Sequence, residues 1–107
     1  MEVPEIDVEE LARLHAGGIK LVDVREPDEY LGGHVPGAEL IPLATVPERL
    51  EDVKGHDGPV YVICAMGGRS RRAAEFYLGQ GIDAVNVAGG TKAWIEAGRP
   101  TNTGMEP

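Results

Sequence analysis

Apolar positions along the chain fall in short dense tracts separated by amphipathic stretches. Residues 19–24, 60–63 and 82–88 are such tracts, rich in valine and isoleucine. That is the pattern of strands buried on both faces of a sheet. Residues 39–43 give a shorter strand, kept to a sheet edge because Pro42 cannot donate to a ladder. Between the tracts the spacing turns helical. Val8, Leu11 and Ala12 share a face, with Asp7 as N-cap and Glu10 completing a capping box. Gly17-Gly18 stops that helix. Pro27 opens a short helix over 27–31. Residues 46–53 read as a charged amphipathic helix with Leu50 and Val53 inward. A further helix spans 69–78, with Ala73, Ala74, Tyr77 and Leu78 on one side. The last spans 91–97, capped by Thr91 and stopped at Gly98-Arg99-Pro100. Residues 101–107 are polar and short, which reads as a frayed tail. Strands alternating with helices predict a parallel sheet covered on both faces.

The length of 107 residues is that of one domain, 1–107, large enough for a core without disulfides or metal. The single cysteine excludes an internal disulfide and a cysteine-rich zinc site. Three scattered histidines do not assemble a metal set, so no metal and no cofactor is expected. The phosphate-cradling glycine motifs of nucleotide-binding proteins are absent. A net charge of −8 argues against a nucleic-acid partner. Residues 1–57 hold 14 acids and 5 Lys or Arg, whereas 58–107 hold 4 acids and 5 Lys or Arg. The second half therefore suits a small anion better. The first ten residues carry five acids and no apolar run, unlike a signal peptide. No stretch approaches the ~20 apolar residues of a membrane span. These features predict a cytoplasmic protein with its thiol reduced.

That thiol is Cys64. It follows the strand at 60–63 and precedes Gly67-Gly68 and the helix from Arg69. Ligands of open α/β sheets bind beyond the carboxyl ends of strands. Loop amides and a helix N-terminus there favour an anion, and a thiolate is one. A lone cysteine can equally be an inert apolar filler, but the glycine pair and three arginines favour a reactive thiol. Asp23 and Arg25 end another strand, where their side chains could reach the same crevice, but they read rather as a structural ion pair or a helix cap. His34 reads as structural, His15 as a favourable cation at a helix C-terminus or a surface residue, His56 as solvated, and Trp94 as core.

The motifs then become specific. Leu21-Val22-Asp23-Val24-Arg25-Glu26 and Gly33-His34-Val35-Pro36-Gly37-Ala38 resemble the paired N-terminal signatures of the rhodanese family. Cys64-Ala65-Met66-Gly67-Gly68-Arg69-Ser70 resembles its active-site loop. Val87-Ala88-Gly89-Gly90-Thr91-Lys92-Ala93-Trp94 resembles its C-terminal signature. The resemblance implies a five-stranded parallel sheet of order 1-5-4-2-3 between helices. It also implies a sulfurtransferase. Cys64 would take a sulfane sulfur from thiosulfate or a persulfide and pass it to cyanide or a thiol, from a small molecule or a protein. Backbone amides of Ala65, Met66, Gly67, Gly68 and Ser70 would stabilise the persulfide, with both glycines at positive φ. Arg69 would either hold the donor's oxyanion or brace the loop. Ala65 and Met66 depart from relatives with a basic residue inside the loop, which favours a less charged donor. A non-turnover sulfur carrier is the alternative. A phosphatase or arsenate reductase is a third possibility, since related phosphatases share the fold, but those place five residues between cysteine and arginine where this chain has the four from Ala65 to Gly68.

Overall fold

The computed structural model describes residues 2–107. Its five strands form one parallel sheet in the order β1-β5-β4-β2-β3. In chain order these are β1 (Glu5–Ile6), β2 (Lys20–Asp23), β3 (Glu39–Leu40), β4 (Val60–Ile63) and β5 (Ala84–Val87). The helices are α1 (Val8–His15), α2 (Pro27–Leu31), α3 (Gly68–Gly79) and α4 (Gly90–Glu96). The expected strand order and two-faced covering are both present.

Alternation within the strands explains the layers. Val22, Val60 and Val62 point to one face and pack with Ala73, Ala74 and Tyr77 of α3. Leu21, Ile63 and Val87 point to the other and pack with Val8, Leu11 and Trp94 of α1 and α4. Each central strand therefore loses apolar surface to water on both sides, which is why its sequence is a continuous apolar run.

Four readings are corrected. The apolar pattern gave no strand at Glu5–Ile6; a two-residue edge strand is too short to show a period, and it exists because it pairs with β5. Residues 46–53 are not an α-helix but the end of a 3-10 segment, Leu43–Asp52. Pro47 lies inside it, and Arg49 breaks it at φ −122°, ψ 31°. Val46 and Val53 are buried there, while Leu50 is only partly so. Glu10 donates its amide to Asp7 as an N-cap requires, at 2.9 Å, yet the cap of α1 is that single bond rather than a reciprocal box. Residues 101–107 are not frayed. His34 and Asn102 exchange backbone bonds of 2.9 Å, and the Gly104 amide donates to the Leu31 carbonyl at 2.9 Å. His34, fully buried and stacked on Tyr30, reaches the Glu106 carbonyl through Nε2 at 2.6 Å. The tail is polar because its backbone, not its side chains, makes these contacts.

Asp23 and Arg25 form the expected structural pair, Nη2 to Oδ2 at 2.8 Å, with Arg25 also donating to the Gly33 carbonyl. The pair is buried and ties the end of β2 to the loop after α2. Trp94 is core, with its indole N–H donating to the Pro100 carbonyl at 2.7 Å.

Candidate functional site

Register decides where Cys64 stands. Ile63 pairs with Asp23, and Val62 with Asn86, so the residue after Ile63 leaves the sheet at its carboxyl edge between the ends of two neighbours. The chain then turns through Ala65 and Met66 and enters α3 at Gly68. The turn needs Gly67 at φ 110°, a value that side chains resist. Gly68 has no positive φ and is simply the first helical residue, so only one of the two glycines serves as expected.

Cys64 is 1 % exposed. Its Sγ lies 3.1 Å from the Gly67 amide, which donates to it, and 3.2 Å from the Ser70 hydroxyl. Burial pushes the thiol up. The Ser70 hydroxyl and the amides of Ser70, Gly67 and Met66 pull it down, and the balance leaves it below the ordinary thiol value. The first turn of α3 adds its dipole in the same sense.

The amides can turn toward the sulfur because the loop's carbonyls are held elsewhere. The Cys64 carbonyl accepts from the Thr91 amide at 2.8 Å and the Thr91 hydroxyl at 3.1 Å. The Ala65 carbonyl accepts from the Lys92 amide at 3.0 Å. The start of α4 must come very close to make these bonds. A Cβ on Gly90 would stand 2.5 Å from the Cys64 carbonyl oxygen. Thr91 is therefore no cap for its own helix; its hydroxyl serves the other loop.

Arg69 turns away from a free, ligand-seeking posture. Its Nη1 and Nη2 donate to the two carboxylate oxygens of Glu29 at 2.8 and 2.9 Å. The hydrogen bonds from Arg69 draw the Glu29 carboxyl down to about 2, and those to Glu29 raise the guanidinium further above its ordinary value. The expected loop residues are thus all at one place, with Arg69 attached to α2. Met66 is 69 % exposed at the loop's tip. Two surface grooves flank the loop. One of about 510 Å³ is lined by Leu43, Val46, Arg69, Arg72 and Phe76. The other, about 470 Å³, is lined by Ala65, Met66, Lys92 and Ile95.

Sequence reasoning missed Asn86, Glu29, Gly90 and Thr91. Asn86 carried a signal, a lone amide in an apolar strand. Its side chain accepts from the Ser70 hydroxyl at 2.5 Å and donates to Glu5 at 2.8 Å and to the Gly67 carbonyl at 3.3 Å. Among the described residues, no three His, Cys, Asp or Glu side chains come together as a metal site. No described helix is long and apolar enough to cross a membrane.

A family model described as Rhodanese-like domain matches residues 7–97. The chain is 42 % identical over 76 residues to an uncharacterized protein, YqhL, of Bacillus subtilis (strain 168). That alignment covers 70 % of this chain and 60 % of the relative's length. The crystal structure of a rhodanese-like domain protein from Staphylococcus aureus superposes with a TM-score of 0.81 at 37 % identity, covering 86 % of this chain and 91 % of the other. The structure of a thiosulfate sulfurtransferase from Pseudomonas aeruginosa superposes with a TM-score of 0.85 at 28 % identity, over 97 % of this chain and 21 % of the other.

Proposed function

This chain belongs to the rhodanese-like domain family, and from that premise we propose that it is a sulfurtransferase working through a Cys64 persulfide. One observation carries the reading. The Cys64 sulfur sits in a loop that turns amide donors toward it while α4 holds the loop's carbonyls away. Amides stabilise an anion without offering it a proton that would quench it.

The Cys64 thiolate attacks the outer sulfur of thiosulfate or of a persulfide donor. An S–S bond forms to Cys64 as the donor's own S–S bond breaks. The bonding pair leaves with sulfite or with the donor thiolate. Cys64 then carries a terminal sulfur anion one atom further out, facing the amides of Ala65 to Ser70. A thiolate or cyanide attacks that atom, takes it, and returns Cys64 as thiolate. The chain has no second cysteine to resolve the persulfide internally, so the sulfur must leave to an outside acceptor, a small molecule or a protein. This is also what a sulfur carrier would do, and the two differ only in whether free donor and acceptor sustain turnover.

Arg69 is a positioning residue in this reading. It spends two of its five N–H groups on Glu29 and so ties the loop to α2. Its charge still favours an anion at the loop. A reduced thiol fits a reducing compartment such as the cytoplasm.

Intact mass after incubation with thiosulfate tests the proposal. The wild type gains the mass of one sulfur, and cyanide or dithiothreitol removes it. Cys64→Ser gains nothing. If the wild type takes no sulfur from thiosulfate or any persulfide, the reading is wrong.

A further inference from the structure

The Ser70 hydroxyl has one hydrogen and two claimants. Its oxygen lies 3.2 Å from Cys64 Sγ and 2.5 Å from Asn86 Oδ1. Asn86 cannot turn its amide to relieve the conflict. Its Nδ2 faces the Glu5 carboxylate at 2.8 Å and the Gly67 carbonyl at 3.3 Å, both acceptors only. Its oxygen is therefore obliged to face Ser70 and needs that hydrogen. The lock comes from the sheet itself, because Glu5 and Asn86 are register partners in β1 and β5. Asn86 and Ser70 are buried, so no solvent stands in for a lost partner.

We propose that Asn86 sets the reactivity of Cys64 by competing for the Ser70 hydroxyl hydrogen, with Glu5 holding Asn86 in the competing orientation. In the thiol state Ser70 donates to Asn86 and offers Cys64 only a lone pair. When the thiol releases its proton to solvent, the hydroxyl hydrogen swings to the sulfur and the Asn86 carbonyl oxygen is left unpaired. Ionisation thus carries a cost that a serine without this neighbour would not impose. This deepens the sulfurtransferase reading, since it assigns control of the same thiol. The charged groups around the site are Glu5 with Arg71, Arg69 with Glu29, Asp23 with Arg25, and Lys92 with Glu96. They act on Cys64 whether or not position 70 carries a hydroxyl.

That difference gives the test. The rate of iodoacetamide alkylation against pH, read by intact mass, reports Cys64 alone because it is the sole cysteine. Asn86→Leu frees the hydroxyl and moves the midpoint down by about one pH unit, roughly tenfold more thiolate below it. In a Ser70→Ala background the same substitution leaves the midpoint where Ser70→Ala alone puts it. An Asn86→Leu midpoint that is unchanged or raised overturns the proposal, as does an equal shift without the hydroxyl. If Asn86→Leu does not fold, Asn86→Ala decides: it removes the same carbonyl oxygen, so its downward shift is larger with Ser70 in place than in the Ser70→Ala background; equal shifts overturn the proposal. The midpoint needs no sulfur donor, so this result and that of persulfide loading stand or fall separately.

Discussion

Arg69 and Glu29 face each other as a two-pronged pair, forty residues apart in the chain, with both oxygens of the carboxylate bonded to the two terminal nitrogens of the guanidinium. Such planar pairs fix orientation as well as adding attraction. Glu29 also accepts from the Glu26 amide at 3.0 Å, so the first turn of α2 is joined to the first turn of α3. The loop carrying Cys64 hangs between that clamp and the start of α4.

A clamp predicts a particular kinetic outcome. Arg69→Ala and Glu29→Gln should each lower the rate of sulfur loading, and the double variant should lose little more than the worse single one. The loss should be of similar size with thiosulfate and with a persulfide donor, which carries no sulfonate. Single-turnover loading of the three variants by intact mass checks this. A loss confined to thiosulfate and to Arg69→Ala would instead assign Arg69 to the donor's oxyanion.

The same pair makes stability depend on acid. Glu29 ionises at about 2 in the folded chain against an ordinary 4.5. Its folded value is depressed, so the stabilisation is fully present above 4.5 and is lost as the pH falls toward 2. About a third of each side chain remains exposed, so solvent screening holds the contribution to about 1 kcal/mol. Urea unfolding of wild type and Glu29→Gln should differ by that amount at neutral pH. The two curves should converge as the pH is lowered through this window; a constant gap would mean that the pair's charge is not the cause.

Gly90 is where the two ends of the site touch. It sits at φ 60°, and a Cβ there would stand 2.5 Å from the Cys64 carbonyl oxygen and 2.6 Å from that of Ala65. Gly90→Ala should therefore cost about 2–3 kcal/mol, and it should slow persulfide formation by letting the carbonyls swing inward. Gly81→Ala, at φ 80° in open space, should cost about 1 kcal/mol and leave loading unchanged. If the two substitutions behave alike, the close approach of α4 is not what shapes the loop.

Tyr77 contributes an opposite sign. Its ring is buried in the α3 face of the core, and its hydroxyl has no partner among the described residues. Burial pushes its ionisation up to about 12. Tyr77→Phe removes an unsatisfied polar group at almost no change in volume, so it should stabilise the chain by about 1 kcal/mol. Thermal unfolding of the variant would show the gain; a loss would mean that the hydroxyl finds water or a partner.

What the chain order reveals follows from what each contact is made of. β2, β4 and β5 are legible because each buries both faces and so reads as a continuous apolar run. Cys64 is legible because a strand end, a glycine and a helix start are all local. Glu29, Thr91 and Asn86 lie far from Cys64 in sequence, and their roles exist only once α2, α4 and β5 are brought to the same edge of the sheet. Asn86 alone left a local trace, since an amide in a buried strand needs partners. The 3-10 segment over Leu43–Asp52 is hidden in the sequence because its apolar spacing resembles that of an α-helix, and Pro47 falls in the first turn of the helix that spacing predicts.

The size of the loop leads to the last prediction. Four residues separate Cys64 from Arg69, one fewer than in the cysteine phosphatases that share the fold. A phosphoryl group must place phosphorus beside the sulfur while three oxygens each meet donors, which needs a wide ring. Here the Gly67 amide already stands 3.1 Å from Sγ, and the Ser70 hydroxyl 3.2 Å. Donors this close converge on the sulfur itself and not on three oxygens held beyond it. Preorganised sites of this kind lose much of their effect when donors move by ~1 Å. No acid follows the loop either, since Ser70, Arg71 and Arg72 come next, so an alcohol leaving group would find no proton donor there. The chain should therefore load sulfur from a sulfane donor and leave p-nitrophenyl phosphate intact. One glycine inserted between Gly67 and Gly68 should slow loading by tenfold or more, about 1.4 kcal/mol of transition-state stabilisation, and should admit phosphate or arsenate as a ligand. Hydrolysis of p-nitrophenyl phosphate by the wild type, lost in Cys64→Ser, would show that the ring is wide enough for phosphorus.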